Sequence, residues 1–209
     1  MPRRPTRTVP TVLLHGWEGS GPDHWQTWLA GQLRAADREV RYPDLPDADV
    51  PVLDPWLAVL STTLDGLPDD GFDVVAHSLG AVLWLHHVAA VGDSPRPARV
   101  ALVSPPSPRT TIPEIASFFP VRLDIDVVRH SAGGGAPARG EVAGGGGTVL
   151  VGSDADPYTP EGIAAAYGLP LKMPTTIIPG GGHLNPEAGY GEWPAVLDWC
   201  GRDNLAFIA

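Results

Sequence analysis

The sequence predicts an α/β fold, a mostly parallel sheet with helices on both faces. Three observations carry the prediction. Short β-branched, apolar runs alternate with longer stretches whose apolar residues recur at helical spacing, the pattern of a parallel sheet with crossover helices. Residues 72–91 compress that unit into a strand, one hydroxyl and an apolar helix. Finally, Ser78, Asp156 and His183 each lie just after a predicted strand, and open parallel sheets bind ligands at the carboxyl ends of their strands.

The first strand is expected over residues 8–14, a β-branched run that ends in His15-Gly16. A loop through Gly21 follows. Pro22, tolerated in a first turn, then opens a helix with Trp25, Leu29 and Leu33 at helical spacing. Residues 40–42 are a short strand. Asp54-Pro55 reads as an N-cap with proline at the first helical position, and Trp56, Leu57, Leu60 and Leu64 form one apolar face. The strand at 72–75 and the helix to residue 91 come next, and residues 99–104 form another strand. Pro105-Pro106-Ser107-Pro108 excludes regular structure. Residues 112–119 suit one or two helical turns, and 123–128 a strand or extended arm. Residues 131–147 form a flexible loop on glycine content alone. Strands at 148–151 and 175–178 flank a helix at 160–167. Gly191-Glu192-Trp193-Pro194 opens a final helix that carries Val196, Leu197 and Cys200 on one face.

The turn within 72–91 reads Ala76-His77-Ser78-Leu79-Gly80. A serine at a sharp strand-to-helix turn, flanked by small residues, is a nucleophile elbow; the alternative is a plain helix cap. Serine needs an adjacent base. His183, after a glycine run, can take its proton and later deliver it to a leaving group. Asp156 can hold the imidazole tautomer, with Asp154 competing for that role. The backbone N–H groups of Trp17 and Leu79 are the natural donors to an oxyanion. His15, Trp25, Phe118, Phe119 and Tyr158 are candidates for a substrate pocket, with core packing, or a loop-bracing hydrogen bond for His15, as the alternative. His77 beside the serine reads as structural. The order Ser, Asp, His along the chain is that of α/β-hydrolases.

The 209 residues fit one domain, with 1–7 as a flexible tail. A formal net charge of -10 argues against nucleic-acid binding. The single cysteine excludes an internal disulfide and suggests a reducing, cytoplasmic setting. No apolar run reaches membrane-spanning length. Metal-binding spacings such as H-x-x-x-H or C-x-x-C are lacking, and no cofactor is expected.

Four motifs together resemble the retinoblastoma-binding protein 9 family of small serine hydrolases, in its bacterial branch. They are His15-Gly16-Trp17-Glu18-Gly19-Ser20 with Asp23-His24-Trp25, then Ala76 through Gly80, then Ser153 with Asp156-Pro157-Tyr158, then Gly182-His183-Leu184-Asn185. The resemblance implies a compact α/β-hydrolase without the first antiparallel strands or a large cap domain. It also implies a triad of Ser78, Asp156 and His183, and makes Ala76 a family feature. The 131–147 loop departs from the pattern. The expected activity is cleavage of small carboxylic esters through an acyl-enzyme, with short acyl groups preferred at an open site. The alternatives are a non-catalytic protein-binding member of the fold, or a thioesterase or acyltransferase on the same triad.

Overall fold

Six strands form a single sheet: β1 (Thr11–Leu14), β2 (Val40–Arg41), β3 (Asp73–His77), β4 (Arg99–Val103), β5 (Thr148–Ser153) and β6 (Thr175–Ile178). Their order is β2-β1-β3-β4-β5-β6 and every pairing is parallel. This is a computed structural model that describes residues 8–90, 95–130, 147–202 and 207. The expected tail at 1–7 lies outside those residues, as does the glycine-rich loop except for Gly147.

Alternation along the strands builds two cores. Val12, Leu14, Val74, Ala76, Val100, Leu102 and Leu150 point to one face, where Trp56, Leu60 and Trp84 cover them. Leu13, Val75, Ala101, Val103, Val149 and Val151 point to the other, against Leu29, Leu33, Val196 and Trp199. The covering helices are therefore α2 (Leu53–Leu64) and α3 (Leu79–Ala90) on the first face, and α1 (Trp25–Ala35) with the helix Pro194–Gly201 on the second. A central strand buried on both sides reads as a continuous apolar run, which is why β3 and β4 were legible. At the amino ends of these two strands Asp73 opposes Arg99. The guanidinium donates to both carboxylate oxygens at 3.3 and 2.6 Å and lies 4.2 Å over the Trp199 ring. It also donates to the carbonyls of Trp199 and Arg202, tying the sheet to the last helix.

Four expectations are corrected. Residues Ile125–His130 form helix α4, not a strand or arm. Asp124 caps it, accepting from the N–H groups of Asp126 and Val127 at 3.0 and 3.3 Å. The N-cap of α2 is Val52, so Asp54 and Pro55 sit inside the first turn. The helix expected at 160–167 starts late, because Gly162 takes φ +82°. A π-turn at Ala164–Gly168 and the single turn α5 (Leu169–Leu171) replace it. Lys172 then caps α5 in the left-handed conformation (φ 49°, ψ 41°) and leads into β6. The last helix, α6 (Pro194–Gly201), begins after Trp193 and buries Val196, Trp199 and Cys200, while Leu197 is only half-buried.

Candidate active site

The site sits where β3 turns into α3. Ser78 takes φ +53°, a conformation that costs a non-glycine residue roughly 1–3 kcal/mol and persists only where its surroundings enforce it. Its N–H donates to the Val103 carbonyl at 2.8 Å, continuing the ladder with β4 one residue beyond the strand. Gly80 explains the small residue that follows. A Cβ there would lie 2.5 Å from the carbonyl oxygens of both Leu14 and His15, so β1 passes too close for any side chain. A Cβ on Gly16 would lie 2.7 Å from the Ser78 Cβ. Two glycines thus let the elbow press against the end of β1.

His183 lies in the loop after β6, with its Nε2 2.9 Å from Ser78 Oγ. Its Nδ1 is 3.0 Å from both carboxylate oxygens of Asp156, in the loop after β5. The hydroxyl donates to Nε2 and Nδ1–H donates to the carboxylate, which fixes the tautomer. All three side chains are largely buried. Asp156 Oδ1 also accepts from the Tyr158 N–H at 3.0 Å, which sets the loop. Asp154 is exposed and instead accepts from the Gly180 N–H at 2.7 Å, bracing the histidine loop from outside.

Two residues hold His183 from behind. His77 Nε2–H donates to the His183 carbonyl at 3.0 Å. Burial, then the proximity of His183 and His24, holds its pKa well below the ordinary histidine value, so the ring stays neutral. Trp25 Nε1–H donates to the Leu184 carbonyl at 2.8 Å. The structural reading of His77 fits this placement. The pocket reading of Trp25 does not: the ring is fully buried, edge-on to His77 and Trp193.

A cleft of about 300 Å³ opens over the serine. Trp17, Leu79 and Tyr158 line it. The Trp17 and Leu79 N–H groups have no acceptor among the described residues. The Tyr158 ring packs against the His183 ring, centroids 4.5 Å apart and planes inclined at 56°. Its hydroxyl pKa is raised by burial, then by Glu18, Glu187 and Asp156. Three other expected pocket residues lie elsewhere. Phe118 is fully buried, edge-on to Trp56, and Phe119 packs partly buried on the same core. His15 braces the loop after β2: its Nε2 accepts from the Leu45 N–H at 3.1 Å while Nδ1–H donates to the Gly16 carbonyl at 2.9 Å. The cleft also takes in Glu18, His24, Ile115, Asn185 and Glu187. Of these, Glu18, His24 and Asn185 fall within the four sequence motifs, while Ile115 and Glu187 lie outside them. Among the described residues no group of three or more His, Cys, Asp or Glu is placed to hold a metal ion.

The fold is that of an α/β-hydrolase. Residues 11–200 match the serine hydrolase family, and the chain belongs to it. Over 84 residues it is 33% identical to YdeN of Bacillus subtilis (strain 168), a protein named as a hydrolase. That match covers 39% of this chain and 44% of YdeN, so it spans less than half of the relative's length. The crystal structure of the B. subtilis ydeN gene product superposes with a TM-score of 0.75 at 22% identity, covering 91% of this chain and 96% of that one. A YdeN-like hydrolase of Pectobacterium atrosepticum gives 0.68 at 22% identity, with 92% and 89% covered. The monoacylglycerol lipase of Paleococcus ferrophilus gives 0.59 at 14% identity, with 94% and 95% covered. No helix among the described residues is long and apolar enough to cross a membrane.

Proposed function

We propose that the protein cleaves small carboxylic esters through an acyl-enzyme, as a single-domain hydrolase of the retinoblastoma-binding protein 9 type. The observation that carries this reading is the unbroken hydrogen-bonded chain from Ser78 through His183 to Asp156, at 2.9 and 3.0 Å. Ser78 Oγ attacks the ester carbonyl as His183 Nε2 takes its proton. The tetrahedral oxyanion is held by the N–H groups of Trp17 and Leu79, free to donate into the cleft. Collapse breaks the bond to the alkoxy oxygen, which leaves with the proton from His183. Water then attacks the acyl-enzyme by the same route in reverse and releases the acid. Asp156 stabilises the imidazolium at each stage without taking the proton. A cleft of about 300 Å³ suits short acyl groups.

The test is a fluorophosphonate probe followed by a panel of p-nitrophenyl esters, thioesters and amides. Labelling should map to Ser78, and Ser78→Ala should lower kcat by about 10⁴-fold or more. An intact fold that is not labelled at Ser78 would sink the assignment. Faster thioester than ester turnover would move the reading to a thioesterase on the same residues.

A further inference from the structure

His24 is built into the cleft in a way the hydrolytic steps do not use. It is the N-cap of α1, its Nδ1 accepting from the Gln26 N–H at 3.1 Å. A ring nitrogen that accepts carries no proton, so the neutral imidazole keeps its proton on Nε2. The residue is only 5% exposed, yet it lines the same cleft as Ser78 and His183. It is held between Trp25 at 5.4 Å and His77 at 5.0 Å. No residue of the described chain accepts from Nε2–H. A donor at the cleft wall without a protein acceptor is left to water, and a substrate that displaces that water must itself accept from Nε2–H or forfeit the bond, so the site discriminates for a ligand able to make it.

We propose that His24 is a specificity-determining residue whose Nε2–H donates to a substrate oxygen other than the scissile carbonyl, so that the cleft selects esters bearing an ether, hydroxyl or second carbonyl oxygen near the reacting carbon. The inference rests on Ser78 being the nucleophile. The scissile oxygen is excluded because Trp17 and Leu79 already serve it. A cationic group is excluded because Nε2–H can only donate. Burial, then the proximity of His183 and His15, holds the His24 pKa at about 4, so the donor persists unchanged at neutral pH.

Two matched pairs of esters test this. In one the acyl group is methoxyacetyl against butyryl on p-nitrophenol. In the other the alcohol is 2-methoxyethanol against butanol, as acetate esters. Each pair exchanges one oxygen for one methylene. Rates are divided by the hydroxide rate of the same ester, which removes the inductive effect of the oxygen. Wild type should prefer the oxygenated member of at least one pair by on the order of tenfold in kcat/KM. His24→Asn and His24→Ser keep a side-chain acceptor for the Gln26 N–H but remove the ring donor. That preference should collapse toward unity in whichever variant keeps the wild-type melting temperature. No oxygen preference in wild type overturns the inference without recourse to any variant. A preference unchanged in the capped variants, or equal losses on both members of a pair, also overturns it. Fluorophosphonate labelling of wild type separates the two failures. Labelled Ser78 without oxygen preference sinks only the role of His24, whereas unlabelled Ser78 sinks the hydrolase reading beneath it.

Discussion

Replacing Gly80 by alanine should damage both stability and activity through one contact. The added Cβ would lie 2.5 Å from the carbonyl oxygens of Leu14 and His15 and 2.8 Å from the Leu14 carbonyl carbon. Comfortable separation is nearer about 3.5 Å, so β1 and the elbow must part by roughly 1 Å. No side chain can swing aside, because every atom met belongs to backbone. Such overpacking costs about 1–3 kcal/mol, or some 2–12 °C in melting temperature for a chain of this size. The same shift moves Ser78 relative to the Trp17 N–H, and a 1 Å misplacement at a reacting group is worth about 10²-fold in rate. The control is Gly31→Ala in α1, where a Cβ meets nothing within 4 Å. That change should stabilise the protein by about 0.5–1 kcal/mol. Thermal melts and the rate of fluorophosphonate labelling read both effects. If Gly80→Ala melts and reacts like wild type, the close approach of β1 does not set the serine.

The two aspartates beyond β5 should separate cleanly: Asp156→Asn should lower kcat by about 10⁴-fold, while Asp154→Asn leaves it within a few-fold of wild type. Ester turnover measures both. Arg99→Met removes the guanidinium paired with the buried Asp73 carboxylate and should cost up to about 3–5 kcal/mol in denaturant melts, with a smaller loss arguing that other groups or water compensate the carboxylate. In the folded protein, burial keeps His24 and His87 uncharged down to about pH 4, and holds His77 neutral well below the ordinary histidine range. The unfolded chain takes up those protons near pH 6.5, so these groups contribute stability above that pH that is lost as pH falls toward 4. His87→Gln should remove about one proton from the slope between those limits, and a slope equal to wild type contradicts a neutral, buried His87.

The readable parts of the chain were those where one local rule decides the outcome. Strands β3, β4 and β6 are apolar or β-branched runs bounded by turn residues, and the elbow followed from Ser78 and Gly80 between two such elements. Helix α4 forms despite the β-branched pair Val127 and Val128, because the Asp124 side chain caps its first turn. The pocket was harder. Trp25 and Phe118 sit at loop edges in sequence, but long-range packing decides their burial. The Trp25 bond to Leu184 spans 159 positions, and no local pattern announces it. Glu18 and Glu187 reach the cleft from loops far apart in the chain, and nothing in either segment signals that they meet.

Lys172, the left-handed cap before β6, is the sole lysine in the sequence. It is exposed and sits at the amino end of its strand, whereas Ser78, Asp156 and His183 all follow carboxyl ends. With every strand parallel, those two edges of the sheet lie opposite one another. Apart from the terminal amine, coupling chemistry aimed at amines therefore has a single handle. A support or dye attached there would hold every molecule in one orientation, with the cleft facing solution.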